Sequence, residues 1–159
     1  MAKQTSLGTV YAISAGEPAT YDQAGFEALT YTAVGGVTNI GEFGPTFDDV
    51  TDTPLATGVT EHRKGGADYG SFTPAMSRDT ADAGQTLFVS GVDGTERDTV
   101  FSHRVTLQDG TNYYVTGQIF AAPLSVGDAS SMVTITGNVM LNNKPVEVLI
   151  SAVETFHAG

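Results

Sequence analysis

The sequence predicts a mainly β protein, a β-sandwich or barrel of about six to eight strands with one or two short flanking helices and a long inter-strand loop. Three observations predict it. Residues 99–120 hold a hairpin pattern, Thr99 to Leu107 and Thr111 to Phe120, rich in Val, Tyr, Phe and Ile and joined at Asp109-Gly110. Residues 132–141 alternate, with Val133, Ile135, Val139 and Leu141 on one face and Thr134, Thr136 and Asn138 on the other. Turn residues recur between short apolar runs, as they do in sandwiches and barrels rather than in βαβ units.

The elements follow in chain order. Residues 8–14 put Thr9, Tyr11 and Ile13 on one side and Val10 and Ala12 on the other, which predicts an opening strand. Asp22 to Leu29 reads as a short helix with Phe26 and Leu29 on one face, weakened by Gly25. From Thr30 to Thr51, Thr, Val, Tyr and Phe are punctuated by Gly35, Gly36, Gly41, Gly44 and Pro45, which predicts two strands broken by turns or bulges. Periodicity is lost over residues 52–66, DTPLATGVTEHRKGG, so this stretch is expected to be the long loop, mobile in a free monomer. Residues 68–77 resume an extended pattern. Asp79 is the expected N-cap of a helix from about Thr80 to Ser90, stopped by Gly91 and Asp93-Gly94.

Composition narrows the function. The chain of 159 residues has 40% apolar residues, enough for a core, and is read as one domain over residues 1–159. Its net charge of -11, from 18 acids against 7 bases, opposes tight binding of nucleic-acid phosphates. The bases (Lys3, Arg63, Lys64, Arg78, Arg97, Arg104 and Lys144) are scattered, so Tyr69, Phe72, Tyr113 and Tyr114 lack the basic groove that base stacking would need. With no Cys, thiol catalysis, disulfides and Cys-based metal sites are excluded. The first residues carry no apolar stretch, so neither a secretory signal nor a membrane anchor is expected there, and the chain is expected to be made and kept in cytoplasm.

No catalytic or cofactor site is expected. His62, His103 and His157 are too far apart for a helical zinc motif. A Gly-x-Ser-x-Gly elbow is missing, and Lys64 beside glycines lacks both the spacing of a phosphate loop and its following Ser or Thr. Asp48, Asp49 and Asp52 lack a Ca²⁺-loop pattern, while Asp79 and Asp82 suit a helix start.

The order of features, the opening strand, then YDQAGFEALTYTAVGGVTNIGEFGPTFDDVTDTPL, the KGGADYGSFTPAMSRDTADAGQ segment and the Tyr-rich hairpin, resembles the tail tube proteins of long-tailed phages. The resemblance covers nearly the whole chain, and GEFGPTFDDV followed by a loop and KGGADYGSF is its most specific part. It implies a structural, non-enzymatic virion protein that forms stacked hexameric rings, with strands of all subunits joined in one inner barrel. It further implies a tape-measure protein in the bore, tail terminator and tail-tip proteins as partners, and double-stranded DNA that passes without specific binding. Residues 52–66 stand where the family's inter-subunit loop lies, so Thr53, Leu55, Val59, His62, Arg63 and Lys64 are its expected contact residues. Asp48, Asp49 and Asp68 are the expected lumen-facing carboxylates; a strand would turn Asp48 and Asp49 opposite ways unless a bulge intervened. The additional carboxy-terminal immunoglobulin-like domain of some members is not seen in this sequence. Two other readings stand beside this one: a head-tail completion, tail terminator or capsid decoration protein, and a carbohydrate-binding or hydrolytic β domain. The lack of Trp disfavours sugar stacking.

Overall fold

β-branched and aromatic runs form antiparallel strands throughout the computed structural model, which describes residues 3–92 and 98–149. The first half of the chain gives β1 (Val10–Ala15), helix α1 (Gln23–Glu27), β2 (Thr32–Val34), β3 (Val37–Asn39), β4 (Thr46–Asp52), β5 (Glu61–Asp68), β6 (Ser71–Phe72) and β7 (Ala75–Ser77). The second half gives helix α2 (Ala83–Ser90), β8 (Phe101–Thr106), β9 (Asn112–Ala121), β10 (Leu124–Ser125), β11 (Thr134–Thr136), β12 (Asn138–Leu141) and β13 (Val146–Val148). Among the described residues strands make up 42% and helices 9%, without a closed barrel.

A seven-stranded sheet runs β2-β1-β8-β9-β12-β6, with β13 also paired to β9, and faces a four-stranded sheet ordered β10-β11-β7-β3. Between them lies a core that includes Tyr11, Ile13, Phe72, Met76, Phe88, Phe101, Val115, Ile135 and Val139. The second face of the large sheet is covered too. There Phe26 of α1 stacks on Tyr114 at 5.3 Å, and Tyr31 lies against the same ring. This explains why β8 and β9 are buried on both faces, whereas a sheet with one wet face would alternate.

The strand count exceeds the expected six to eight because several expected strands are cut into short pieces. Residues 132–141 show the cause. The alternation is real, with Ile135, Val139 and Leu141 buried and Thr136 and Met140 exposed, but β11 belongs to the small sheet and β12 to the large one. Gly137 is the crossing point: its N–H donates to Pro74 O at 2.8 Å, and a Cβ there would overlap the Phe88 ring.

Helix α2 starts later than expected. Asp82, not Asp79, is its N-cap, with Asp82 Oδ2 accepting from Gln85 N at 2.9 Å and also from Gly35 N at 3.0 Å. The Asp79 carboxylate instead accepts from Ala81 N at 3.0 Å. The buried Gln85 amide spans the junction, accepting from Asp79 N and donating to the carbonyls of Gly35 and Ser77. The expected stop at Asp93-Gly94 lies outside the described residues, as do Arg97 and His157.

Candidate functional site

Residues 52–66, expected to be a loop without regular structure, are instead the end of β4, a tip and most of β5. The cause is a glycine bulge that hides the period. Phe47 pairs with Ala67 but Asp49 pairs with Lys64, so Gly65 and Gly66 together oppose Asp48 and the alternation of β5 slips by one residue. Polar residues at nearly every remaining position of β5 complete the disguise.

The resulting hairpin is a separate two-stranded sheet outside the ladders of the sandwich. Every residue of β4 and all of β5 except Gly65 is exposed. Two strands alone are at best marginally stable in water, and both outer edges present free backbone groups. The hairpin therefore has the chemistry of a segment completed by another chain.

The register sorts its side chains onto two faces. One carries Phe47, Asp49, Thr51, His62 and Lys64; Lys64 Nζ lies 4.9 Å from the Phe47 ring centroid and His62 Nδ1 is 2.9 Å from Asp49 Oδ2. The other carries Asp48, Val50, Asp52, Glu61, Arg63 and Asp68. Since the bulge is in β5 and not β4, Asp48 and Asp49 do face opposite ways. Asp48 and Asp68 share the strongly acidic face, where four carboxylates stand against the single guanidinium of Arg63, 3.8 Å from Glu61. Asp68 Oδ1 also accepts from Gly70 N at 2.8 Å.

The tip spans residues 53–60. Gly58, at φ +67°, donates its N–H to Pro54 O at 2.8 Å, and Thr53 Oγ1 lies 3.1 Å from Thr60 Oγ1. Leu55 is fully exposed and Val59 62% exposed. Thr53, Leu55 and Val59 thus gather at the tip, whereas His62, Arg63 and Lys64 sit back along β5. Phe47 and Val50, about half exposed, were not among the expected contact residues. The signal that could have found them is the alternation of Thr46 to Asp52 itself.

Elsewhere the ionisable groups are built into structure. His103 is fully buried, and Nε2 donates to Gly117 O at 3.2 Å, which leaves Nδ1 to accept from Tyr11 Oη at 2.7 Å. Burial pushes its pKa down to about 4 and raises that of Tyr11 well above the ordinary value. A cleft of about 670 Å³ beside Val37–Phe43 and β8 has Glu42 and Tyr113 as the ionisable groups of its wall. Tyr113 donates to Glu147, which raises its pKa to about 12. Among the described residues no three His, Asp or Glu side chains gather as a metal site, and no helix is long and apolar enough to cross a membrane.

No protein-family model and no curated protein matches the sequence. Solved structures share its fold at low identity. A chain of the anti-feeding prophage baseplate, solved with six-fold symmetry, has a TM-score of 0.72 at 9% identity, over 93% of this chain and 97% of that one. A chain of the native gene transfer agent virion has a TM-score of 0.62 at 13% identity, over 92% and 100%. The SPP1 tail tube has 0.58 at 12% identity, over 95% and 83%. The fold is that of tail-tube and baseplate proteins from phage-like particles, as the sequence resemblance implied.

Proposed function

We propose that this chain is a structural subunit of a phage tail tube, acting over residues 1–159 as one unit and catalysing no reaction. Copies associate through the β4–β5 hairpin into six-membered rings, rings stack into a tube, and the bore conducts double-stranded DNA without binding it specifically. A tape-measure protein would fill the bore before release, with terminator and tail-tip proteins closing the ends. The observation that carries this reading is the hairpin: a two-stranded sheet, exposed on both faces and carrying Phe47, Val50, Leu55 and Val59 to solvent, has no use in a monomer. The whole-length likeness to chains of six-fold baseplate and tail particles supports the ring order.

Negative-stain microscopy over a concentration series tests it. Stacked rings or filaments are expected from the intact chain, and a folded monomer from a chain whose residues 53–60 are replaced by a two-residue turn. Hydrogen exchange should show the amides of residues 46–68 becoming strongly protected on assembly. Single rings at all concentrations would point instead to a terminator or head-tail completion part. Equal protection in monomer and assembly would remove the hairpin from the interface.

A further inference from the structure

We propose that the β4–β5 hairpin is a preformed arm on a two-point hinge, with Gly44 at one root and the Asp68–Gly70 corner at the other, so that its direction is set when a second copy engages it. The hinge is a property of the single chain; only what the arm engages rests on the tube reading. The arm holds its own shape. Its ladder runs from the Thr46–Asp68 rung to the Asp52–Glu61 rung, and the Lys64–Phe47 and His62–Asp49 contacts tie the strands together across one face. Gly58 N donating to Pro54 O closes the tip. Among the described residues the hydrogen bonds of residues 46–68 stay inside the hairpin except for one, from Gly70 N to Asp68 Oδ1 at 2.8 Å.

The sandwich grips the chain immediately outside the arm. Phe43 packs against the core, its ring centroid 5.6 Å from that of Phe72 and 6.1 Å from that of Tyr113. On the other side Gly70 O accepts from Leu141 N at 2.8 Å. Pro45 has its φ fixed by its ring, so turning at the first root falls on Gly44, which stands at φ +153° with nothing within 4 Å of the place a Cβ would take. The second root bends at Gly70, at φ +80°. The two joints adjoin, because a Cβ on Gly70 would lie 3.2 Å from Gly44 O. Joints side by side share one axis, and hinge motions concentrate in a few such residues between well-packed bodies. The present direction is held by the Asp68–Gly70 bond and by the half-buried ring of Tyr69. Both faces of the arm are exposed, so it gains burial only by turning onto another surface.

Spin-label distances in the full chain test the hinge. The chain has no native Cys, and Ala56, Ala67 and Gln108 are exposed sites for introduced ones. Labels at Ala56→Cys and Ala67→Cys report on the arm itself, and labels at Ala56→Cys and Gln108→Cys report its direction relative to the β8–β9 turn. In the monomer the 56–67 distances should be narrowly distributed and the 56–108 distances several-fold broader. When labelled chain is diluted into unlabelled chain and assembled, the 56–108 distances should collapse to one narrow peak. Gly44→Ala meets no clash, so it should leave the thermal melt unchanged while narrowing the 56–108 distribution and raising the concentration needed for assembly about tenfold. A 56–108 distribution as narrow as the 56–67 one in the monomer would overturn the hinge. Equal breadth of both would overturn the preformed arm, and an unchanged distribution in Gly44→Ala would overturn the joint at Gly44. An unaltered chain that stays monomeric at every concentration would overturn the tube reading, with the monomer distances still deciding the hinge.

Discussion

His103 sits in an aromatic box, stacked on Tyr11 at 5.9 Å and edge-on to Phe72 at 5.6 Å and hydrogen-bonded to Tyr11 Oη and Gly117 O, where complete burial disfavours the charged imidazolium. Its folded pKa of about 4 lies below the ordinary 6.5. The unfolded chain therefore binds the extra proton first as pH falls. Stability is full above pH 6.5 and declines as pH drops toward 4, by an amount on the order of 3 kcal/mol for this group. Urea melts of the monomer between pH 7 and 5 should show that decline, and His103→Gln should flatten it while lowering stability at pH 7. Equal slopes in the two proteins would show that the decline originates elsewhere. At this scale the sequence was partly legible. The strand alternation of His103 with Phe101 and Val105 was readable, but its bond to Tyr11 joins residues 92 positions apart. Asp79 and Asp82 look equally good as caps to a local reading, and Gly35, 47 positions from Asp82, separates them by donating to its carboxylate.

Elements were legible where one period governed them and illegible where a glycine changed the rules. The β8–β9 hairpin was readable because its Asp109-Gly110 turn and β-rich flanks agree, and the structure turns there, with Gly110 N donating to Leu107 O at 2.9 Å. The β4–β5 hairpin was not legible because the Gly65-Gly66 bulge breaks alternation and strands exposed on both faces carry no buried face to reveal them. Helix α2 shows the same principle in its packing. Gly84 lies against the backbone of β2, where a Cβ would overlap the carbonyl of Ala33 and crowd Val34 Cα. Helix propensity alone would make Gly84→Ala stabilising by about 1 kcal/mol. Backbone cannot step aside as a flexible side chain can, so the clash decides the sign, and Gly84→Ala should destabilise by about 1–3 kcal/mol. A lower urea midpoint with an unchanged slope is the expected result; a raised midpoint would mean that α2 moves away freely.

For the whole molecule, the proposed tube raises the question of which surface DNA in its bore would meet. The small sheet turns Ser77, Thr134, Ser125, Ala75 and Thr136 away from the core, an outer face of hydroxyls and methyls without charge. A wall of that kind offers phosphates little to hold. The hairpin adds charge on one side only, because Asp48 and Asp68 share its acidic face while Asp49 lies opposite and is engaged by His62. If the acidic face lines the bore, the three carboxylates singled out by sequence divide into two that act on DNA and one that does not. Asp48→Lys and Asp68→Lys should each leave tubes intact by microscopy but slow genome release, most strongly at low salt, where a ring of new cations attracts phosphate over a longer range. Asp49→Lys should leave release unchanged, with any effect appearing in assembly instead. Release timed from virions carrying each substitution, at two ionic strengths, checks the division. A slowing by Asp49→Lys alone would put the opposite face of the hairpin in the bore, and salt-independent, unaltered release in all three would mean that carboxylates of this hairpin do not meet the DNA.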